Sequence, residues 1–313
     1  MEQKADTLLE IHDLSVAFRM YNGAFEQTEL QAISNLHLTV QPGEIVAVVG
    51  SSGSGKSLLA SAILGILPDN AIVKGHLHYD GEELTAERQQ ELRGTQIALV
   101  PQSVSYLDPL IKVGAQIYGH GSGSDIKKKM SRRIFGRLGL QKETEKLYPF
   151  QLSGGMARRV LVSTALISDA RLIIADEPTP GMTLEQSLES LKMFREMADD
   201  GKAVILITHD LDLAVEFADR IAVFYAGTTV ETAPVRDFKS GEEMLRHPYT
   251  KALWRALPQN GFEPIEGFQP YAGNLPEGCL FSPRCPYADE KCRKNLPPIR
   301  ELRGGEVRCY YGD

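Results

Sequence analysis

The chain contains 313 residues, of which 42% are hydrophobic and 24% are charged, and it carries a formal net charge of −7. This length suits one large domain with an appendage, and the composition excludes a disordered, collagen-like or coiled-coil chain. The acidic balance argues against nucleic acid as a partner, because proteins that bind phosphate backbones carry an excess of basic residues. No signal peptide is visible at the polar N-terminus, and no apolar run reaches the ~18 residues of a membrane-spanning helix, so the sequence predicts a cytosolic protein.

The first predicted elements are a short sheet and a buried strand. Residues 8–18 and 32–40 mix apolar and polar side chains in near alternation, which predicts two antiparallel strands of a half-exposed sheet. Residues 45–49 form a continuous apolar run, typical of a strand buried on both faces of a parallel sheet. Residues 57–67 carry apolar side chains at helical spacing. The order is therefore strand, glycine-rich loop and helix.

The glycine-rich loop between that strand and helix matches the pattern GxxxxGK[ST]. Its residues are Gly50, Ser51, Ser52, Gly53, Ser54, Gly55, Lys56 and Ser57. Glycines let consecutive backbone N–H groups point at a β-phosphate, and Lys56 adds a full positive charge. The Ser57 hydroxyl is placed to ligate Mg²⁺. The loop therefore predicts a site for nucleotide phosphates.

The rest of the predicted core is made of apolar strands separated by helical patterns. The strands are residues 171–175, 203–208 and 221–224. This alternation predicts a parallel sheet covered by helices. Between Gln102 and Arg159 the pattern is helical and polar, which predicts an inserted helical subdomain. We interpret its basic run, residues 127–133, as a solvated helix face and not as a docking patch.

Polar side chains follow two of these strands, where a parallel sheet presents its carboxyl edge. Asp176 and Glu177 end the first of them, and His209 follows the second. We expect Asp176 to hold the Mg²⁺ shell, Glu177 to orient or deprotonate the attacking water, and His209 to contact the γ-phosphate. The alternative is structural: two acids that open a loop, and a histidine that is merely exposed at a strand end.

A second helix start that could bind an anion lies further along the chain. Ser153, Gly154 and Gly155 stand directly before a helical pattern over residues 157–167. Together with the phosphate loop, this combination resembles the nucleotide-binding subunit of an ATP-binding-cassette (ABC) transporter. The resemblance implies a sandwich dimer, in which the Ser-Gly-Gly sequence of one subunit closes on ATP held by the phosphate loop of the other.

The resemblance covers nearly the whole chain and implies roles for two more residues. Phe18 matches the aromatic residue that stacks on adenine, while Tyr21 and Phe25 are near enough in sequence to compete, and a core role for Phe18 is the alternative. Gln102 matches the loop glutamine that reaches Mg²⁺ and the attacking water.

The sequence departs from the family pattern at one position. After Glu177 the family has an aspartate that contacts the opposing subunit, and Thr183 stands in its place here. The departure suggests altered coupling between subunits, with one of the two ATP sites turning over slowly. Equal hydrolysis at both sites in a site-resolved assay would contradict this hypothesis.

All four cysteines lie in the last 35 residues. They are Cys279, Cys285, Cys292 and Cys309. A reducing cytosol disfavours disulfides, so a metal site is the natural use of four clustered thiols, although the spacing is not that of a zinc ribbon. The surrounding sequence is similar to the C-terminal extension of oligopeptide, dipeptide and nickel importer ATPases. That resemblance implies a [4Fe–4S] cluster, with zinc or free packed cysteines as alternatives.

These observations predict an α/β P-loop NTPase of the ABC type, with a mainly parallel core sheet and an antiparallel N-terminal β subdomain. The expected domains are residues 1–245, with the helical subdomain at about 103–160, and a loop-rich extension over 246–313. The resemblance implies an ATPase at the cytoplasmic face of the membrane that drives import of peptides, nickel or metal chelates.

The implied partners are a second ATPase subunit, more often different than identical, two membrane permeases and an extracytoplasmic solute-binding protein. The rival hypothesis is a soluble ABC ATPase acting on ribosomes or DNA. Such proteins usually carry two cassettes or a long coiled-coil insert, and the sequence has neither. A GTPase is disfavoured because the chain lacks an Asn-Lys-x-Asp guanine-reading motif. The sequence does not identify the cargo.

Overall fold

The computed structural model describes residues 7–22, 26–119 and 124–312. Phe25, a competitor for the adenine-stacking role, lies outside the described residues. The strands are β1 (Leu9–Asn22), β2 (Glu26–Val40), β3 (Ile45–Gly50), β4 (Ala71–Tyr79), β5 (Glu82–Glu83), β6 (Ile97–Val100), β7 (Leu172–Asp176), β8 (Ala203–Ile207), β9 (Arg220–Tyr225), β10 (Thr228–Pro234), β11 (Arg300–Leu302) and β12 (Gly305–Val307). The helices are α1 (Lys56–Leu64), α2 (Ala86–Leu92), α3 (Val113–Tyr118), α4 (Ser124–Arg137), α5 (Gly154–Leu166), α6 (Leu184–Asp199), α7 (Leu211–Phe217), α8 (Val235–Ser240), α9 (Pro248–Arg255) and α10 (Glu290–Lys294).

The larger sheet has eight strands in the order β11-β12-β10-β9-β3-β8-β7-β6. Its strands from β9 to β6 are parallel to one another, and β10, β12 and β11 continue it in antiparallel pairing. Every residue of β3, β7 and β8 is buried, as their continuous apolar sequences predict. Because these three strands are parallel, their carboxyl ends meet at one edge of the sheet.

The smaller sheet is antiparallel and has the order β2-β1-β4-β5. The sequence predicted its first two strands but not β4, nor β6 and β10 of the larger sheet. Side chains of β3 alternate between two cores, with Ala47 in one and Val48 in the other. The smaller sheet and α1 cover one face of the larger sheet, and α5, α6 and α7 cover the other. The predicted α/β architecture is therefore confirmed.

Residues 246–312, called the C-terminal segment below, join the main sheet through β12. This strand pairs with β10 at Glu231↔Val307. A buried ionic cluster ties the two regions together: Arg246 is fully buried and contacts Glu231 at 3.2 Å and Asp237 at 2.7 Å. Buried charges are tolerated only when they are paired and hydrogen-bonded in this way. The division near residue 245 stays a prediction. Within the described ranges, no helix is long and apolar enough to cross a membrane.

Candidate nucleotide-binding site

Eight of the predicted nucleotide-site residues, from four separate parts of the chain, line one cavity of about 420 Å³ at the carboxyl edge of the sheet. The lining residues are Ser52, Gly53, Gly55, Lys56, Ser57, Leu58, Gln102, Glu177, Pro180 and His209. The register explains this convergence, because Ile207 on β8 lies between Val48 on β3 and Asp176 on β7. The phosphate loop, the pair Asp176 and Glu177, and the imidazole of His209 therefore all lie at the same edge of the sheet.

The shape of the phosphate loop depends on its first and last glycines. A Cβ added to Gly50 would lie 2.3 Å from the carbonyl oxygen of Phe224, so only glycine fits against the end of β9. Gly55 has φ of +94°, a left-handed conformation that side chains rarely adopt, immediately before α1 begins at Lys56. The loop is also held from outside, since Gly227 N donates to Ser54 O at 3.2 Å.

Lys56 lies folded back on its own loop. Its Nζ donates to the carbonyl oxygens of Gly50 at 2.8 Å and Ser51 at 3.0 Å. Burial lowers the pKa of Lys56, and the nearby carboxylates of Glu177 and Asp176 act in the opposite direction. The ammonium group thus lies at the first two residues of the loop, where it can exchange carbonyl partners for phosphate oxygens.

Asp176 offers an unpaired carboxylate oxygen beside the loop. The residue is buried, and its Oδ1 has no hydrogen-bond partner among the described residues. Burial raises the pKa of Asp176, and a hydrogen bond with Ser57 lowers it. A buried, unpaired carboxylate oxygen next to a hydroxyl provides oxygen ligands of the kind that a hard cation such as Mg²⁺ prefers. Asp176 and Ser57 therefore fit the predicted Mg²⁺ site.

Glu177 and His209 form a pair at the open side of the cavity. The His209 Nδ1 lies 2.9 Å from Oε2 and 3.0 Å from Oε1 of Glu177. The Glu177 side chain is 10% exposed, while that of His209 is 70% exposed. Glu177 also has a φ of +47°, a strained value for a residue other than glycine, and its N–H donates to Ile207 O at 2.9 Å. Burial and the contact with His209 hold the carboxylate in place, and the exposed ring of His209 can reach a ligand.

Arg158 on α5 is a residue that the sequence analysis missed. This buried arginine donates through Nη1 to Pro101 O at 2.7 Å and through Nη2 to Gln102 O. Burial lowers the pKa of Arg158, and Asp176 and Glu177 raise it. Arg158 therefore positions the backbone of the Gln102 loop and adds positive charge near the acidic pair. A charged residue within the buried face of a helix was the available signal.

Phe18 lies apart from the phosphate cavity. It pairs with Leu30 on β2 and Ala71 on β4, and its half-buried ring packs against the core beneath the smaller sheet. Tyr21, its competitor, is 69% exposed. Stacking on adenine by Phe18 stays a prediction.

The four cysteines all line a second cavity, of about 530 Å³. Cys292 and Cys309 are buried, and Cys279 and Cys285 are half-buried. Burial raises the pKa of Cys279 to about 11, and the other three thiols contribute to the rise. Within the described part of the chain, no group of three or more His, Cys, Asp or Glu side chains is arranged to hold a metal ion. The thiols share one cavity without converging on one point.

Comparison with known proteins decides the family. Residues 33–180 match the ABC transporter family, and residues 230–292 match the C-terminal region of oligopeptide and dipeptide transporters. The dipeptide transport ATP-binding protein DppD of Escherichia coli is 33% identical over 97% of this chain and 96% of its own length. The oligopeptide transport ATP-binding protein OppD of Salmonella typhimurium is 32% identical over 99% and 95%. The chain belongs to the ATP-binding subunits of ABC importers.

Solved structures confirm the ABC fold. A dimeric ATP-binding cassette in a post-hydrolysis state, bound to ADP and phosphate, superposes with a TM-score of 0.64 at 23% identity, over 73% of this chain and 99% of that one. A second dimeric bacterial cassette gives a TM-score of 0.63 at 24% identity. As a member of this family the chain is an ATPase that uses ATP and Mg²⁺ and couples hydrolysis to import. These relatives give no support to a ribosome- or DNA-associated ATPase.

The Ser-Gly-Gly sequence of the ABC family is at the surface here and does not line the chain's own phosphate cavity. Ser153 caps α5 by accepting a hydrogen bond from Met156 N at 3.2 Å. Gly155 lies against the loop after β7, because an added Cβ would come within 2.6 Å of Gly181 O. The exposed Ser153 and Gly154 are therefore free to meet another molecule.

Thr183, the residue that departs from the expected family pattern, is the N-cap of α6. Its Oγ1 accepts from Gln186 N at 3.3 Å, and Gln186 Oε1 accepts from Thr183 N at 3.2 Å. Threonine and aspartate both cap helices well, so an aspartate at this position would leave the local structure unchanged and would add a negative charge.

Proposed function

We propose that this chain drives the import of peptides, as one of two ATPase subunits that close on two ATP molecules. The observation that carries the proposal is similarity over nearly the full length to dipeptide and oligopeptide transport ATP-binding proteins, including their C-terminal region. These names favour peptides over nickel or metal chelates as cargo. In this proposal the chain is held at the cytoplasmic face of the membrane by its permease partners.

The residues in and beside the cavity can be assigned separate roles in binding and hydrolysing ATP. The loop amides and Lys56 bind the phosphates, while Ser57, Asp176 and the Gln102 side chain would hold Mg²⁺, which neutralises charge on the phosphates. Glu177 orients the attacking water and accepts its proton, and His209 presents the free side of its ring to the γ-phosphate. Lys56 can exchange its carbonyl partners for phosphate oxygens as ATP enters.

Hydrolysis requires a second ATPase subunit in this proposal. Ser153 and Gly154 are exposed at the start of α5, so they are available to ATP bound by a partner chain. We propose that the two ATPase subunits form a heterodimer that acts on two permeases. Each permease would contact the surface beside Gln102 and the inserted helices. An extracytoplasmic solute-binding protein would supply the cargo. Thr183 retains its capping role while lacking the charge of aspartate, which supports slow turnover at one of the two sites.

Reconstitution tests the proposed function. The chain is purified with its partner ATPase and permeases, placed in proteoliposomes with the solute-binding protein, and supplied with labelled dipeptides, oligopeptides or Ni²⁺. We expect peptide uptake that requires both ATP and this chain. Uptake of Ni²⁺ without peptide would contradict the proposed peptide cargo. Association with ribosomes or DNA, without permeases, would contradict the proposed role in transport.

We also propose that the four thiols hold a [4Fe–4S] cluster. Four thiolates can ligate such a cluster, and the shared cavity leaves room for a group larger than one ion. A single Zn²⁺ would require the four sulfur atoms to lie within about 4 Å of one another, because Zn–S bonds are ~2.3 Å long. Cys279, whose pKa is about 11, would release its proton on ligation.

Iron and sulfide analysis of anaerobically purified protein checks the cluster. We expect about four iron and four sulfide per chain with visible absorption, and loss of both in Cys285→Ser. Ser282→Ala changes another residue that lines the same cavity and should keep the iron. A colourless preparation without iron, or one with a single zinc per chain, would refute the cluster.

A further inference from the structure

The C-terminal segment reaches directly into the phosphate loop. The Ser51 hydroxyl donates to Gln269 Oε1 at 2.5 Å, across 218 positions of sequence. Burial raises the pKa of Tyr249, and hydrogen bonding with the side chain and backbone of Ser51 lowers it. A cavity of about 340 Å³ between the segment and the loop is lined by Ser51, Tyr249 and Gln269 together. Ser51 is therefore a loop residue to which the C-terminal segment is hydrogen-bonded.

The groups that contact Ser51 are themselves fixed. Gln269 Oε1 also accepts from Ala226 N at 3.3 Å. The backbone preceding Gln269 is held by Arg284, which donates to Glu266 O at 2.6 Å and to Ile265 O at 2.9 Å.

Tyr249 is fixed by packing. Its ring is 2% exposed and lies 4.5 Å from the ring centroid of Tyr225 and 5.4 Å from that of Phe281. Aromatic pairs at these separations attract one another and hold both rings. Ser51 therefore rests against two side chains that have little freedom to move.

Ser51 is also a partner of the phosphate-binding lysine. Lys56 Nζ donates to Ser51 O at 3.0 Å, and this bond can break when Lys56 turns to a phosphate. The hydroxyl of Ser51 is then still held by Gln269 and Tyr249. A loop anchored in this way keeps its shape while Lys56 changes partners, which reduces the ordering cost of binding ATP.

We propose that Gln269 and Tyr249 are positioning residues for ATP: by holding Ser51 they fix the phosphate loop, so that the C-terminal segment completes the nucleotide site. The proposal concerns ATP binding by this chain and does not depend on the cargo or on the cysteine cavity. Loss of one such hydrogen bond should weaken ATP binding about 2- to 10-fold. Because neither Gln269 nor Tyr249 lines the cavity that contains Gln102, Glu177 and His209, turnover at saturating ATP should change little.

The test is a double-mutant cycle on the full-length chain, read by equilibrium binding of a fluorescent ATP analogue. Gln269→Ala, Gln269→Met and Ser51→Ala should each raise the Kd by a similar factor, because methionine keeps the length of glutamine without its acceptor. Ser51→Thr should restore binding through its hydroxyl. Tyr249→Phe, which removes only a hydroxyl, should also raise the Kd. Glu266→Ala is the control, since its exposed carboxylate makes no hydrogen bond in the described part of the chain.

The double variant decides between positioning and a general structural effect. Ser51→Ala with Gln269→Ala should bind ATP no more weakly than the weaker single variant, because both remove the same bond. In the assembled ATPase, the KM for ATP should rise about 2- to 10-fold while kcat stays within about 2-fold. Unchanged affinity in Gln269→Ala, additive losses in the double variant, or a fall in kcat without a rise in KM would overturn the proposal.

Discussion

Glu177→Gln is expected to bind ATP normally and to lose ATP hydrolysis by about 100- to 1,000-fold, within the range of a lost general base. Glutamine has the size of glutamate and can still hydrogen-bond to His209, whose Nδ1 is 2.9 Å from the carboxylate. The strained backbone at this position, with φ of +47°, is also retained because the change affects only the side chain. The amide cannot accept a proton from water, so only the chemical step is affected.

Phosphate release at saturating ATP and equilibrium ATP binding measure the two halves of this prediction. Glu185→Gln is the matched control, because it makes the same chemical change at an exposed acid in the first turn of α6. The control should hydrolyse ATP at the normal rate. Near-normal turnover in Glu177→Gln would contradict the assignment, and parallel loss of binding and turnover would indicate a structural role instead.

Much of this site could be predicted from sequence because it is built from strand ends. The apolar runs of β3, β7 and β8 are buried along their whole lengths, so parallel pairing was strongly indicated. Once those strands are parallel, the residues that follow them must share one edge of the sheet. The placement of Lys56, Glu177 and His209 around one cavity follows from that geometry.

Elements with polar sequences were harder to predict. Strand β10 has buried Thr228, Thr229, Glu231 and Thr232, a composition that does not resemble a core strand. Glu231 is tolerated there because Arg246, which lies 15 residues later, is buried against it. Periodicity describes one segment at a time and cannot reveal a partner that makes a polar strand stable.

Contacts between distant segments were also invisible in the sequence. Arg158 holds the loop of Gln102 from 56 residues away, and Gln269 reaches Ser51 from 218 residues away. The cysteine-rich segment was predicted as a loop-rich extension, yet its sequence gave no sign that β12 would pair with β10 or that nearby residues would contact the phosphate loop. Such contacts depend on the tertiary path of the chain and not on any local pattern.

Lys56→Ala is expected to weaken ATP binding about 10- to 100-fold, since a hydrogen bond to a charged group contributes ~1.5–3 kcal/mol. The lysine ammonium is the one full charge supplied by the phosphate loop itself. In the absence of that charge, the backbone amides of the loop and the start of α1 still attract phosphate. Binding should therefore be weakened and not abolished, with hydrolysis at subsaturating ATP falling in parallel.

Titration with a fluorescent ATP analogue measures this loss, and Lys56→Met separates charge from packing. Methionine keeps most of the buried lysine stem, so it should bind ATP as weakly as alanine does if the charge is responsible. Lys202→Ala is the control: its Nζ also donates to a backbone carbonyl, Ser168 O at 2.7 Å, but it does not line the nucleotide cavity. Affinity that recovers in Lys56→Met would show that packing of the stem matters more than the ammonium. Unchanged affinity in both variants would mean that the loop amides alone bind the phosphates.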